Sequence, residues 1–154
     1  GHRVPAVAWS PGNLKPRQLE DQMVSSMDLF KTFADYADVP VPDDLILDGK
    51  NIAGLLEGES DASPYEVFYY YLANSNQMAA IRVGDWKYIT IPDGVQRKPN
   101  LQLYDLQKDD REQNDVINDH PERVDQLWKK MNSIDSEISP SSNWAQGTIV
   151  VPAP

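Results

Sequence analysis

Hydrophobic residues near the start of the chain form an unbroken run from Val4 to Trp9, which ends at a Ser-Pro-Gly turn signal. A run without alternation is typical of a strand that is buried on both faces inside a parallel sheet. Parallel strands need neighbours joined by crossover helices, and no residues before this run supply them. We therefore expect residues 4–9 to be a strand of a larger α/β domain, most of which lies outside this chain.

Hydrophobic spacing of three and four then predicts a helix over residues 23–37, whose apolar stripe is Met23, Met27, Phe30, Ala34 and Ala37. Ser25 or Ser26 is the predicted cap, and Asp28 lies near the positive end of the helix dipole. A second, short helix is predicted over residues 52–56 and ends at Gly58. The small and acidic residues 57–63 are the best candidate for a hinge or subdomain boundary.

From residue 65 the period changes to two, which predicts four strands at residues 66–72, 77–83, 85–91 and 101–106. Their connections are too short for crossovers, so the strands should form an antiparallel meander. Residues 121–138 then predict an amphipathic helix with an apolar face that needs the sheet: Val124, Leu127, Trp128, Met131, Ile134 and Ile138. The predicted fold class is α+β, and residues 139–154 form an extended tail.

Composition excludes several classes of function. The 154 residues carry a formal net charge of −10, the wrong sign for contacts with nucleic-acid phosphates. The absence of cysteine excludes disulfides, thiolate zinc sites and cysteine nucleophiles. No apolar stretch approaches the roughly 18 residues that a membrane span needs. The chain is long enough for one domain with a core of its own.

Motifs alone do not indicate a reaction. No phosphate-binding glycine loop, H-E-x-x-H or G-x-S-x-G sequence is present, and the two histidines, His2 and His120, have no companions at metal-ligand spacing. The acidic run from Asp105 to Asp115 does not match an EF-hand, so a solvated acidic turn is favoured over a calcium loop. A non-enzymatic α+β module that holds a protein partner by its sheet edge or proline-rich tail remains an alternative.

The order of short motifs nevertheless resembles one family. Successive motifs are G-x-R-V-P and W-x-P-G at residues 1–12, V-S-x-M-D-L at 24–29, L-D-G at 47–49, R-x-G-D-W-K-Y at 82–88, L-Y-D-L at 103–106 and H-P-E at 120–122. This succession is similar to the C-terminal third of the sulfatases, the arylsulfatase-like sulfuric ester hydrolases. Lys31, Asp38 and Asp110 stand where family members commonly carry Pro, Gly and Pro, which affects local helix and turn geometry only.

The resemblance implies a two-part enzyme with an alkaline-phosphatase-like fold. Residues 1–60 would end the large α/β domain, residues 61–138 would form the C-terminal antiparallel subdomain, and residues 139–154 the tail. The missing N-terminal domain would hold a calcium ion and a formylglycine made from a C/S-x-P-x-R motif, together with the groups that bind sulfate. No catalytic residue and no metal ligand is expected in this chain. Family members are periplasmic, secreted or lysosomal.

The resemblance also implies where a sulfated small molecule or glycan would be met. The polar loop after the first predicted strand, with Asn74, Ser75, Asn76 and Gln77, is expected to face the substrate, because amides can read sugar hydroxyls without adding charge. A plain hairpin turn is the alternative for this loop. His2 and Arg3 are expected near the sulfate site, although Arg3 is also a candidate for a structural ion pair.

Overall fold

A computed structural model of the chain describes residues 3–72, 78–92 and 99–138. The chain divides between Glu66 and Val67 into two compact units, which we call the first and the second unit. The first unit contains α1 (Asp28–Tyr36) and α2 (Ala53–Glu57). The second contains β1 (Val67–Tyr71), β2 (Met78–Val83), β3 (Trp86–Pro92), β4 (Pro99–Asp105) and α3 (Pro121–Ile138).

The four strands of the second unit form one antiparallel sheet in the order β1-β2-β3-β4, so the predicted meander and the α+β class are confirmed. The observed strands differ from the predicted ones by only one or two residues at their ends. Gly84, with a φ of 57°, makes the tight turn between β2 and β3. Because residues alternate between the two faces of a sheet, the register places Ile81, Tyr88 and Leu103 side by side on one face.

Helix α3 covers that face, as the hydrophobic spacing predicted. Leu127 and Met131 are buried against Ile81, Tyr88 and Leu103, with Val124 and Ile134 packed at the margin. Burying side chains of this size contributes about 1.5–3 kcal/mol each. Pro121 occupies the first helical position, where its missing N–H costs nothing. Trp128, which the spacing assigned to the same face, is 45% exposed.

Helix α1 is shorter than predicted, and a different face is buried. Residues 23–25 have no regular secondary structure, residues 26 and 27 form a turn, and the regular helix begins at Asp28. The N-cap is Met27, which makes no side-chain cap bond, so neither predicted serine is the cap. Ser25 lies two residues earlier, where its N–H donates to Asp28 Oδ2 at 2.6 Å and its Oγ accepts from the Met27 N–H at 3.3 Å. The buried residues of α1 are Asp28 and Thr32, whereas Phe30 is 58% exposed and is left uncovered by the described residues.

The strand expected at residues 4–9 is not formed. These residues have no regular secondary structure, and Val7 and Trp9 are 96% and 84% exposed. A strand needs a neighbour for its backbone hydrogen bonds. The four strands that the structure describes pair only with one another. The apolar run is therefore a hydrophobic segment without a covering partner among the described residues.

A buried carboxylate organises the first unit in place of the expected apolar stripe. Asp28 is fully buried, and its Oδ1 accepts hydrogen bonds from the Lys50 N–H at 2.8 Å and from the Tyr65 hydroxyl. Thr32 Oγ1 donates to the Asp28 carbonyl at 2.7 Å and accepts from the Ile52 N–H at 3.0 Å. A buried charge is stable only when it is satisfied in this way. These bonds hold residues 48–52 against the start of α1.

Gly49 makes that contact possible, and replacing it should be costly. A Cβ atom at residue 49 would overlap the carbonyl oxygen of Met27, which is backbone and cannot turn aside. We expect Gly49→Ala to lower the free energy of unfolding by about 3 kcal/mol. Gly54→Ala is the control, because the nearest atom to its new Cβ is 4.0 Å away. That helical substitution should raise stability by up to about 1 kcal/mol. Equal effects in urea unfolding would contradict the close approach.

Candidate functional site

Most of the predicted substrate-facing residues lie outside the described part of the chain. This applies to Asn74, Ser75, Asn76 and Gln77, and to His2. The strands on either side of the loop are described, with Tyr71 paired to Met78. Tyr71 and Met78, the described residues nearest the loop on either side, pair at the end of the sheet opposite the Gly84 turn. Arg3 is described and exposed, and its expected proximity to a sulfate site stays a prediction.

The acidic run is an exposed to half-buried turn, as favoured from the sequence, and its carboxylates also accept backbone N–H groups. Asp109 Oδ2 accepts the N–H groups of Gln113 and Asn114 at 2.7 and 2.6 Å. Asp115 Oδ1 accepts those of Leu103 and Ile117, both at 3.0 Å. The two carboxylates therefore satisfy backbone donors of the loop and of β4. In the described ranges, no group of three or more His, Cys, Asp or Glu side chains is arranged to hold a metal ion.

Another carboxylate of this loop is tied to the sheet. Glu112 Oε1 lies 2.6 Å from Lys87 Nζ, and Lys87 is only 8% exposed. The same Nζ lies 5.1 Å from the centre of the Tyr70 ring, within cation–π range. Burial raises the pKa of the Tyr70 hydroxyl above its ordinary value. The Lys87–Glu112 pair was not predicted, because 25 residues separate its members and no local pattern in the sequence marks them.

A shallow cleft of about 420 Å³ lies where α3 begins, against the Trp86 side chain of β3. The His120 ring meets the Trp86 ring edge-on, with centroids 4.8 Å apart, and the Arg123 guanidinium lies 5.4 Å from the Trp86 centroid. The His120 carbonyl accepts the Val124 N–H at 3.1 Å, the first bond of the helix. These contacts fix the start of α3 on the β2–β3 hairpin, so the cleft is built by structural contacts.

Most of the exposed apolar surface among the described residues lies on the first unit. Thirteen of the sixteen large hydrophobic side chains that are exposed among the described residues belong to this unit. The exposed apolar residues of α1 and its N-cap form what we call the α1 face: Met27, Leu29, Phe30, Phe33 and Tyr36. Each of the five is between 42% and 60% exposed. Contiguous apolar patches of this kind mark surfaces that another protein segment covers. Within the described ranges, no helix has the length and hydropathy to cross a membrane.

Comparisons with known proteins agree with the resemblance in the sequence. Residues 1–137 match the family model for the C-terminal region of N-sulphoglucosamine sulphohydrolase. An N-acetylgalactosamine-6-O-sulfatase of Bacteroides thetaiotaomicron is 32% identical over 146 residues, which cover 87% of this chain and 27% of that enzyme. Arylsulfatase K of Gallus gallus is 34% identical over 140 residues, or 85% of this chain and 25% of that protein.

Solved structures give the same result for the fold. A structure described in connection with the metabolism of multiple glycosaminoglycans by Bacteroides thetaiotaomicron superposes with a TM-score of 0.60 at 30% identity, covering 82% of this chain and 28% of its own. The chain thus spans about a quarter of the length of each of these relatives. Because the family model covers most of the sequence, the chain belongs to the sulfatase family and is a sulfatase C-terminal domain.

Proposed function

We propose that this chain is part of a formylglycine-dependent sulfatase that hydrolyses sulfate esters, of a sulfated carbohydrate in preference to an aryl sulfate. The chain completes the fold and lines the substrate entrance. The observation that carries the proposal is the family match over residues 1–137. The carbohydrate preference is supported by the Bacteroides relative, whose name is that of an N-acetylgalactosamine-6-O-sulfatase. As in the family, the complete protein would be periplasmic, secreted or lysosomal.

The reactive groups would come from the rest of the polypeptide. Sulfate ester hydrolysis needs a nucleophile for sulfur and positive charge to stabilise the oxygens of the transition state. The sequence has no cysteine, and none of its serines stands in S-x-P-x-R, so it contains no site for formylglycine. The described carboxylates form no metal cluster. The sequence therefore does not fit formylglycine and the described carboxylates do not fit calcium, so we assign both to the proposed N-terminal domain.

The α1 face is the surface that the rest of the enzyme would cover. Its side chains are apolar and exposed, which is unfavourable in water by about 25 cal/mol for each Å² of apolar surface. The exposed apolar residues of the run at 4–9 add further apolar surface that is unfavourable in water. The α1 face and the run at 4–9 both lie within residues 1–60, which the resemblance assigns to the large α/β domain.

Because the α1 face is uncovered, the 154-residue chain should self-associate and bind a hydrophobic dye. We expect Phe30→Ser with Phe33→Ser to reduce both several-fold. The free energy of unfolding should change by less than about 1 kcal/mol, since both rings are more than half exposed. Sedimentation velocity and dye fluorescence measure the two effects.

Trp128→Ser is the matched control, because Trp128 is a similarly exposed aromatic residue of the second unit. It should leave self-association close to that of the unmodified chain. A monomeric chain that does not bind the dye would contradict the docking proposal and favour the self-contained interaction module.

In the complete protein, the loop of Asn74, Ser75, Asn76 and Gln77 is proposed to contact the sugar. Replacing these four residues with alanine should raise KM about tenfold for a sulfated saccharide and leave kcat within about twofold, since it removes binding that substrate and transition state share. Asp85→Ala, in the turn between β2 and β3 at the opposite end of the sheet, is the control and should change neither constant. Unaltered KM in the loop variant would mean that the loop is a plain turn.

The coding sequence upstream of Gly1 tests the reaction class directly. We expect an in-frame C/S-x-P-x-R motif preceded by acidic residues that could bind calcium. An in-frame stop codon immediately upstream would contradict the two-part enzyme without affecting the family assignment, which rests on residues 1–137.

A further inference from the structure

Residues 59–66, which we call the junction, end the first unit and overlap residues 57–63, whose composition predicted a hinge or subdomain boundary. Hydrogen bonds hold this segment at several points. The N–H groups of Glu59 and Ser60 both donate to the Gly54 carbonyl, at 2.8 and 3.1 Å. Further along, Ser63 Oγ donates to the Met23 carbonyl at 2.6 Å and accepts the Tyr65 N–H at 3.1 Å. The junction is therefore attached both to the end of α2 and to the segment that precedes α1.

The last attachment before the second unit is the hydroxyl of Tyr65, which donates to Asp28 Oδ1. Asp28 is held in place independently of Tyr65, because its carboxylate is fully buried and also accepts the Ser25 N–H at 2.6 Å and the Lys50 N–H at 2.8 Å. A phenol that is 37 residues distant in sequence thus reaches a fixed carboxylate at the start of α1. Hydrogen bonds to a charged acceptor are the stronger kind.

We propose that the Tyr65–Asp28 hydrogen bond is a latch, which anchors the junction of the two units on the first unit and keeps residues 59–66 from acting as a free hinge. Ser63 holds the same backbone separately, through the Met23 carbonyl and the Tyr65 N–H. Opening the latch would free the junction while both units stay folded, because Asp28 keeps its Ser25 and Lys50 donors and neither hydrophobic cluster of the second unit contains a residue of this segment. This inference concerns the conformation of the chain and holds whatever reaction the complete protein catalyses.

The phenol remains able to donate over the whole neutral range. Burial, and then the hydrogen bond to Asp28, raise the pKa of Tyr65 well above its ordinary value near 10. A raised pKa means that the folded chain holds this proton more tightly than the unfolded chain. The contribution to stability is therefore fully present below about pH 10 and declines as the pH rises further.

Hydrogen exchange of the 154-residue chain with a Tyr65→Phe substitution tests the latch. We expect amide exchange across residues 60–66, and cleavage after Glu59 and Glu66 by a glutamate-specific protease, to accelerate about ten- to a hundredfold. Exchange in α1 and in β2 and β3 should remain within about twofold. Tyr36→Phe is the matched control, because Tyr36 donates to Glu57 at the end of α2, in the same unit but outside residues 60–66. It should leave the junction protected.

Two results would overturn the latch. One is unchanged exchange and cleavage at residues 60–66 in Tyr65→Phe, which would show that the other contacts hold the junction alone. The other is a parallel loss of protection in α1, which would make Tyr65 a general support of the first unit. If Tyr65→Phe does not fold, Ser63→Ala is measured instead: it removes the 2.6 Å bond to Met23 and leaves the latch in place, so exchange at residues 60–66 should stay within about threefold, and a tenfold acceleration would overturn the latch.

Discussion

The first unit depends on one buried carboxylate that joins three segments of the chain. Asp28 has no exposed surface, and three donors from separate parts of the sequence satisfy it: Ser25, Lys50 and Tyr65. Two of these donors are backbone N–H groups, which keep each carboxylate oxygen satisfied when the Tyr65 phenol is absent. Gly49 belongs to the same arrangement, because only a residue without a side chain lets the Lys50 N–H approach the start of α1.

The elements that depend on local hydrophobic periodicity were predicted correctly from the sequence. Features that depend on contacts between residues far apart in the sequence were not. The strands and α3 follow from periods of two and of three to four, and their partners lie within the same unit. Burial of Asp28 and Thr32 could not be read in this way, because it depends on donors 20 to 37 residues away. Hydrophobic spacing identified Met27 and Phe30, two of the five residues of the α1 face. It could not show that the described residues leave them exposed.

The acidic loop of the second unit shows a related limit. Composition indicated a solvated turn, and Asp110 and Asp115 are exposed, but composition does not show which donors each carboxylate accepts. In the structure Asp109 and Asp115 accept backbone N–H groups, while Glu112 pairs with the buried Lys87. Motifs that support the family resemblance also supply structural contacts: L-D-G supplies the close approach at Gly49, and R-x-G-D-W-K-Y supplies Gly84, Trp86 and Lys87. The resemblance is legible in this chain because these fold-determining residues lie in it.

A net charge of −10 on this chain is in apparent conflict with an anionic sulfated substrate, because like charges repel. Repulsion between exposed charges is screened beyond about 8–10 Å at physiological ionic strength, so only charges close to the bound sulfate would oppose it strongly. The proposed substrate loop carries amides and a hydroxyl without a charge of its own. An entrance built from such groups would leave attraction of the sulfate to cations of the N-terminal domain, so the acidity of this chain is compatible with the proposed reaction.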